Sequence, residues 1–241
     1  MLELLKDAVR FGYLENWPGD AEDFVLLIRG IHHLQNGAIW AGICDMQRIS
    51  RWHQTAVRLL TKYVPEEVLL NAAAELYHSA FKRDKHLLLI LGAVLGPVAL
   101  TLPDYFKSAS RFITRVVGVR YKTCLSLAKL EPGMQITFAL EKPNQRDPES
   151  VIVIGPEDIP LGYLNPPLAA TLAARYLTGE AFSAHVAAVL GSAYDIDERL
   201  HIEVYKDVFS GRCTFLVPGE RKLLEYRRSD RKHLRQSNRR V

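Results

Sequence analysis

The sequence predicts an α+β fold: an N-terminal all-α helical bundle, then a small β-barrel with one inserted helix, then a basic C-terminal tail. Apolar residues recur at helical spacing over positions 1–112, the period changes to two from Ile113 onward, and positive charge is concentrated after position 218. The predicted boundaries are therefore 1–112 for the helical domain, 113–218 for the barrel and 219–241 for the tail.

The composition is that of a folded chain with enough residues for two domains. Of its 241 residues, 48% are apolar and 24% are charged. Cys44, Cys124 and Cys213 lie far apart and form neither a CxxC pair nor a cluster with zinc-ligand spacing. Acids and a lysine interrupt the apolar N-terminal residues, unlike in a signal peptide. We expect reduced thiols and a cytoplasmic protein.

The net charge of +4 is unevenly distributed along the chain. Positions 220–241 hold nine Lys or Arg and three Asp or Glu, a net charge of +6, so the other 219 residues sum to −2. The tail is predicted to be a solvated arm, and one that contacts phosphates if the protein binds nucleic acid.

Four helices are predicted in the first half from apolar faces at helical spacing. Asp20 is a candidate cap for the second helix, and Pro65 is expected in the first turn of the fourth. The four faces are Leu2, Leu5, Val9 and Tyr13; Phe24, Leu27, Ile28 and Ile31; Ile49, Trp52, Ala56, Leu59, Leu60 and Tyr63; and Val68, Leu69, Ala72, Leu76 and Phe81.

The stretch from Leu87 to Leu102 is apolar throughout and allows two interpretations. A spanning helix needs about 20 apolar residues, and this stretch is shorter and contains Pro97 and two glycines. A buried core helix is therefore favoured over a membrane helix, although Lys82, Arg83 and Lys85 would suit a cytoplasmic flank.

The second half contains short strands at regular spacing, which is typical of a small barrel. The inserted helix is expected at 166–178, with Leu168, Leu172 and Leu177 facing inward and Gly179 at its end. The strands are predicted in ITRVVGV from Ile113, from Met134 to Leu140, from Val151 to Ile154, from Phe182 to Leu190, from Leu200 to Tyr205 and from Cys213 to Val217.

The sequence contains none of the common catalytic or metal-binding signatures. A P-loop, GxSxG, HExxH and a GxGxxG after a strand are all missing from it. His32 and His33 are adjacent, so on a helix they point about 100° apart, and Cys44 and His53 have no standard ligand spacing. We therefore expect a non-catalytic protein without a metal or cofactor.

Three stretches in the second half occur in an order that resembles the HIRAN domain. They are RVVGVRYKTC from Arg115, LEPGMQITFALEKPNQRDPESVIVIG from Leu130 and PLGYLNPPLAATLAARYLTGE from Pro160. The resemblance covers residues 115–206. It implies a compact β-barrel of the kind fused to DNA-repair helicases and nucleases, whose best-understood member holds the 3′ end of single-stranded DNA.

The resemblance also implies a binding groove. By this resemblance, Arg120 corresponds to a residue that contacts phosphate, and Tyr121 corresponds to a ring that stacks on a base. Asp147 corresponds to the acid that accepts a hydrogen bond from a terminal 3′-hydroxyl. Single strands are held by aromatic faces and cations, which supports the same region independently. The candidate nucleic-acid-binding residues are Arg120, Tyr121, Lys122, Asn144, Arg146, Asp147, Tyr163 and Tyr194.

Two departures from the family pattern favour general groove binding with a modest end preference. Arg146 stands where the DNA-binding member has an aromatic residue, and Asn165-Pro166-Pro167 follows the Gly-Tyr-Leu element in place of a lysine.

Each candidate also has a structural interpretation. Asn144 and Asp147 are common turn formers, and Tyr163 would equally pack inside a barrel.

The predicted function is binding of DNA, single-stranded or with a free 3′ end, with the tail assisting and the helical half docking a protein partner. An alternative is a protein- or peptide-binding adaptor. A third hypothesis tethers the barrel to a membrane through Leu87 to Leu102, and it is the least favoured.

Overall fold

The computed structural model describes residues 2–79, 84–119, 127–140, 150–207 and 215–216. Helices occupy the described part of the first half, and β-strands dominate the second. The helices are α1 (Leu2–Arg10), α2 (Ala21–Gln35), α3 (Ile39–Gln47), α4 (Gln54–Tyr63), α5 (Glu66–His78), α6 (Lys85–Leu95), a 3-10 helix (Gly96–Asp104), α7 (Tyr105–Ser108) and, after the fourth strand, α8 (Pro166–Leu177).

The described strands form a curled sheet, a half-barrel in the order β1-β6-β5-β2-β3-β4, with antiparallel neighbours throughout. A short seventh strand pairs parallel to β2. The α+β class is thus confirmed. The strands are β1 (Arg111–Arg115), β2 (Gln135–Leu140), β3 (Val151–Ile154), β4 (Pro160–Tyr163), β5 (Phe182–Val189), β6 (Leu200–Lys206) and β7 (Phe215–Leu216).

Helix α3 is absent from the sequence prediction, which placed the third helix from Ile49 onward. The structure ends α3 at Gln47 and begins α4 at Gln54, where the His53 ring accepts a hydrogen bond from the amide of Ala56. Helix α3 is buried on nearly all sides. It therefore lacks the one-sided apolar stripe by which a helix is recognised in a sequence.

Two positional predictions at helix ends are wrong. Leu177 is 79% exposed rather than inward, because five residues of helix turn it about 140° away from the buried Leu172. Pro65 precedes α5 as its cap residue instead of lying in the first turn. Asp20 occupies the cap position of α2, but its side chain makes no capping hydrogen bond.

The helices pack against one face of β1, β6 and β5. Strand β6 is consequently buried on both faces, and His201, which alternates with the apolar Leu200 and Ile202, is 0% exposed. Its Nε2 accepts a hydrogen bond of 3.1 Å from the amide of Trp40 at the start of α3. The Asn71 side chain on α5 bonds both the N–H and the C=O of Ile113 in β1, at 2.6 and 2.9 Å.

The buried apolar side chains of the helices and of the sheet belong to one continuous cluster. Helical residues such as Leu27, Trp40 and Leu76 share it with Phe138, Val186 and Ile202 of the strands. The predicted division at residue 112 into two domains stays a prediction. The structure adds that side chains from both halves bury each other.

The apolar stretch 87–102 is buried on one face. Leu87, Leu91, Leu95 and Leu102 are buried, as expected of a core helix. Leu89 and Leu100, however, are 72% and 84% exposed. The prediction of a buried core helix therefore holds for the inner face and is wrong for the outer one.

Candidate functional site

The two edges of the curled sheet meet just beyond β1. Val117 and Tyr163 of β4 form an isolated antiparallel bridge, with N···O distances of 2.9 Å from the Val117 amide and 2.8 Å from the Tyr163 amide. The preceding amide, Val116, donates to the carbonyl of Leu200 at 2.9 Å. The chain after β1 thus contacts both neighbouring strands of the half-barrel.

Two glycines allow this close approach. A Cβ at Gly162 would lie 2.5 Å from the carbonyl oxygen of Val117, so only glycine fits opposite that backbone. Gly118 has φ +69, in the left-handed region that favours glycine, and a Cβ there would lie 3.3 Å from the Tyr163 ring. The half-buried Tyr163 ring therefore covers the Gly118 turn.

Two segments carry most of the predicted site residues; the first starts close to this bridge, and the second starts and ends close to it. Residues 120–126 follow Val119, one residue beyond the Gly118 turn. Residues 141–149 connect β2 to β3, whose first residue, Val151, pairs with Leu140 and accepts a hydrogen bond from the amide of Leu164. Ile152 lies opposite Tyr163. The described chain thus brings the start of the first segment and both ends of the second to one end of the half-barrel.

Most of the predicted binding side chains lie outside the described residues. Tyr163 is described and lies at the bridge, with its ring on Gly118, so the groove and packing roles both remain predictions. The predicted residues outside the described part are Arg120, Tyr121, Lys122, Asn144, Arg146 and Asp147.

Tyr194 lies against the helical half rather than beside Tyr163. Its hydroxyl is 2.6 Å from Nε2 of His33, and the two rings are perpendicular with centroids 5.4 Å apart. Burial raises the pKa of Tyr194 and lowers that of His33. His33 also lies 3.7 Å from the buried Asp45 carboxylate, which Arg29 binds through two hydrogen bonds. In this arrangement Tyr194 holds the β5–β6 connection against α2, and its stacking role stays a prediction.

A second cluster of polar side chains lies between the helices and the sheet, and the sequence did not predict it. The Arg115 guanidinium lies over the Trp40 ring, 3.8 Å from its centroid. Burial raises the pKa of Glu75 to about 7, although a hydrogen bond from Thr114 and the charge of Arg115 both act to lower it. Burial lowers the pKa of His201 to about 3. No local pattern could reveal this group, because its members come from four separate elements.

No protein-family model and no curated protein matches the chain. Two solved structures do. A Lactobacillus plantarum protein from a structural-genomics project is 23% identical with a TM-score of 0.34 over 39% of this chain and 89% of its own. The HIRAN domain of human HLTF is 16% identical with a TM-score of 0.31 over 40% of this chain and 73% of its own. Likeness at this level does not decide the fold, and the HIRAN resemblance stays a sequence prediction.

Proposed function

We propose that the protein binds nucleic acid without catalysis, in the cytoplasm, through the end of the half-barrel marked by the Val117–Tyr163 bridge. One observation carries the proposal. The start of segment 120–126 and both ends of segment 141–149, which hold the predicted phosphate- and base-binding residues, lie next to that bridge. The chain therefore enters both segments at the same end of the half-barrel, although the segments are about 20 residues apart in the sequence.

The chemistry of those segments suits a single strand. Arg120, Tyr121 and Lys122 supply two cations and an aromatic ring in three residues, and Arg146 adds a cation from the other segment. Cations neutralise phosphates, and stacking on a ring contributes about 1–3 kcal/mol per base. The preferred ligand is therefore single-stranded DNA, with a modest preference for a free 3′ end through Asp147.

The basic tail adds a second, sequence-independent contribution. Its net charge of +6 is opposed by a net −2 over the rest of the chain, so long-range attraction of a polyanion comes from the tail. Binding should weaken steeply with salt, because each neutralised phosphate releases counterions.

The proposal is tested by fluorescence-anisotropy titration of the full chain with single-stranded, duplex and 3′-phosphorylated oligonucleotides at two salt concentrations. Arg120→Ala and Tyr121→Ala should each weaken single-strand binding by about 1–3 kcal/mol. Arg58→Ala, which removes an exposed arginine of α4, is the matched control and should change affinity little. Site variants that bind every oligonucleotide like the parent would contradict the proposal.

Asp147→Ala separates end capture from general groove binding. A carboxylate repels phosphates, so its removal should slightly strengthen general binding. If Asp147 accepts a bond from a terminal hydroxyl, the same change weakens binding to free 3′ ends and spares 3′-phosphorylated strands.

Tyr163→Leu keeps an apolar side chain over Gly118 but removes the ring. Unchanged affinity with this variant would assign Tyr163 to packing alone.

A further inference from the structure

Helix α5 holds strand β1 through two side chains that lie one turn apart on the helix. The Asn71 side chain bonds the N–H and the C=O of Ile113, at 2.6 and 2.9 Å. Glu75, four residues later and so on the same face, accepts a hydrogen bond from Thr114. Asn71, Glu75 and Thr114 are all buried. The helix therefore contacts two consecutive residues of β1 through buried polar groups.

The strand that α5 holds leads directly to the bridge. Thr114 and Val117 are three residues apart, and the Val117 backbone bonds that of Tyr163 in both directions. Packed, rigid elements with two discrete arrangements can carry coupling between sites. A change in the contact between α5 and Thr114 can therefore reach the bridge through β1.

Glu75 has two possible partners, and its protonation state selects between them. A neutral carboxyl group suits the Thr114 hydroxyl, which both donates and accepts. An ionised carboxylate that is only 3% exposed needs a cation, and the charge of Arg115 acts on it. The Arg115 guanidinium lies 3.8 Å from the centroid of the Trp40 ring, and its buried Nε has no hydrogen-bond partner among the described residues. It therefore has a donor that an ionised Glu75 can accept.

The titratable and charged groups around this pair come from several elements that pack near α5. Thr114 and Arg115 act on Glu75 from the sheet, and Tyr105 interacts with it from α7. Positions 87–103, in α6 and the 3-10 helix, contain no titratable residue. The other groups are Cys44, Asp197 and Glu198, whose charges act on Arg115, and His33 and Arg29 of α2, which both contact Asp45 of α3.

Glu75 changes charge near neutral pH, whereas its neighbour Tyr105 does not. Burial raises the pKa of Glu75 from 4.5 to about 7 and that of Tyr105 to about 12. Because the folded pKa of Glu75 is the higher one, its contribution to the contact is full below pH 4.5 and is lost as the pH rises to about 7. The contact between α5 and β1 should therefore weaken across the neutral range.

We propose that Glu75 is a pH-sensitive switch that sets how firmly α5 holds β1 and the bridge beyond it. In the protonated state Glu75 bonds Thr114, and the strand is held at two residues. In the ionised state the carboxylate draws Arg115 away from the Trp40 ring, and the contact of α5 with β1 loosens. Affinity for single strands should then fall as the pH rises, a step that rests on the proposed function.

The test is amide hydrogen exchange of the full chain at pH 6 and pH 8, corrected for the intrinsic pH dependence of exchange. In the parent, the amides of Ile113 and Val117 should open about tenfold more often at pH 8, as linkage requires when a pKa of about 7 returns to 4.5 on opening. Glu75→Gln stays neutral, so its opening should be the same at both pH values. Glu66→Gln makes the same change at an exposed position of α5 and should behave like the parent.

The amide of Val186 in β5, which donates to the carbonyl of Met134, separates local from global opening. At pH 8 the amide of Val117 should open more often than that of Val186. Equal opening of the two would mean that Glu75 acts only through global stability, and the switch is then overturned. It is also overturned if opening at Val117 does not depend on pH in the parent, or if Glu75→Gln shows the same dependence.

The emission of Trp40 reports the movement of Arg115. In a chain with Trp17→Phe and Trp52→Phe, Trp40 is the remaining tryptophan. Its emission should change between pH 6 and pH 8 and should stay constant once Glu75→Gln is added. Constant emission without that addition would mean that Arg115 stays on the ring, which contradicts the switch.

Oligonucleotide binding separates the switch from the proposed function. Fluorescence anisotropy should show single-strand affinity falling between pH 6 and pH 8 more in the parent than in Glu75→Gln. A parent that binds no oligonucleotide at either pH would contradict the proposed function, while exchange at Val117 still decides the switch. An equal fall in the two proteins would overturn the link between Glu75 and the binding segments.

Discussion

The helices have an inner side, which faces the sheet, and an outer side, which faces solvent. The two sides differ in the contacts that their side chains make. On the side that faces the sheet, two buried polar side chains make hydrogen bonds between the layers: Asn71 bonds the backbone of Ile113, and His201 bonds the amide of Trp40. On the outer side at α6, leucines face solvent without a partner among the described residues, and the hydroxyl of Thr101 donates within its own turn.

This difference separates two kinds of contact. Buried polar groups must find partners of fixed geometry, since an unpaired one costs about 1–3 kcal/mol. Such a contact is specific and permanent. The apolar side chains exposed on α6 make no contact of this directional kind. The side of the helices that faces the sheet therefore fixes how the two layers fit together.

The largest expected effect is at Arg175, which joins α8 to the chain just before β1. The guanidinium is buried, donates to the carbonyls of Phe106 and Ala109 at 2.9 and 2.8 Å, and pairs with Glu180 at 2.6 Å. Arg175→Met should lower the free energy of unfolding by about 3–5 kcal/mol, because it leaves buried acceptors unpaired. Urea denaturation measures the change.

The exposed pair Lys107–Asp104 is the control for Arg175. Lys107→Met removes a salt bridge of similar length, 2.6 Å, at a solvated position. Its cost should stay below about 1 kcal/mol. Equal losses in the two variants would contradict the assignment of Arg175 as a buried anchor.

An intermediate effect is expected at Glu75, and it depends on pH. Its pKa is raised from 4.5 to about 7 in the folded chain, so the folded state holds a proton that the unfolded state has released. Stability from this group is full below pH 4.5 and is lost as the pH rises to about 7. The free energy of unfolding of Glu75→Gln, minus that of the parent, should rise by on the order of 3 kcal/mol between pH 4 and pH 8.

Denaturation of both proteins across that pH range checks this expectation. Glu66→Gln is the control, because it makes the same chemical change at an exposed position at the start of α5. Parallel profiles for Glu75→Gln and the parent would show that Glu75 titrates normally in the folded chain.

The smallest expected effect is at Leu89. Leu89→Gln should change the free energy of unfolding by about 0.5 kcal/mol or less, because the side chain is 72% exposed. Leu91→Ala, two residues away and 1% exposed, should cost about 2–5 kcal/mol. Thermal melts compare the two. A large loss at Leu89 would mean that the Leu89 side chain is packed in solution rather than exposed.

Much of the secondary structure followed from local patterns. The period-two strands β2, β5 and β6 and the helix-ending Gly179 occur where the sequence predicted them, since alternation and positive φ leave local signatures. Helix α3 left none, because it is covered on nearly all sides. Of the predicted site residues, Tyr163 is the one that the described structure places at the bridge; the sequence supplied the residue types of the two segments outside the described part.

The sequence by itself determined the α+β class, the change from helices to strands near residue 112 and the concentration of positive charge in the tail, because periodicity and charge are local properties. Only the tertiary structure decided which surfaces found partners. It buried His201 under α3, covered Gly118 with the ring of Tyr163, and left the outer side of α6 exposed. Each of these depends on residues distant in the chain, and a local pattern does not specify what packs against it.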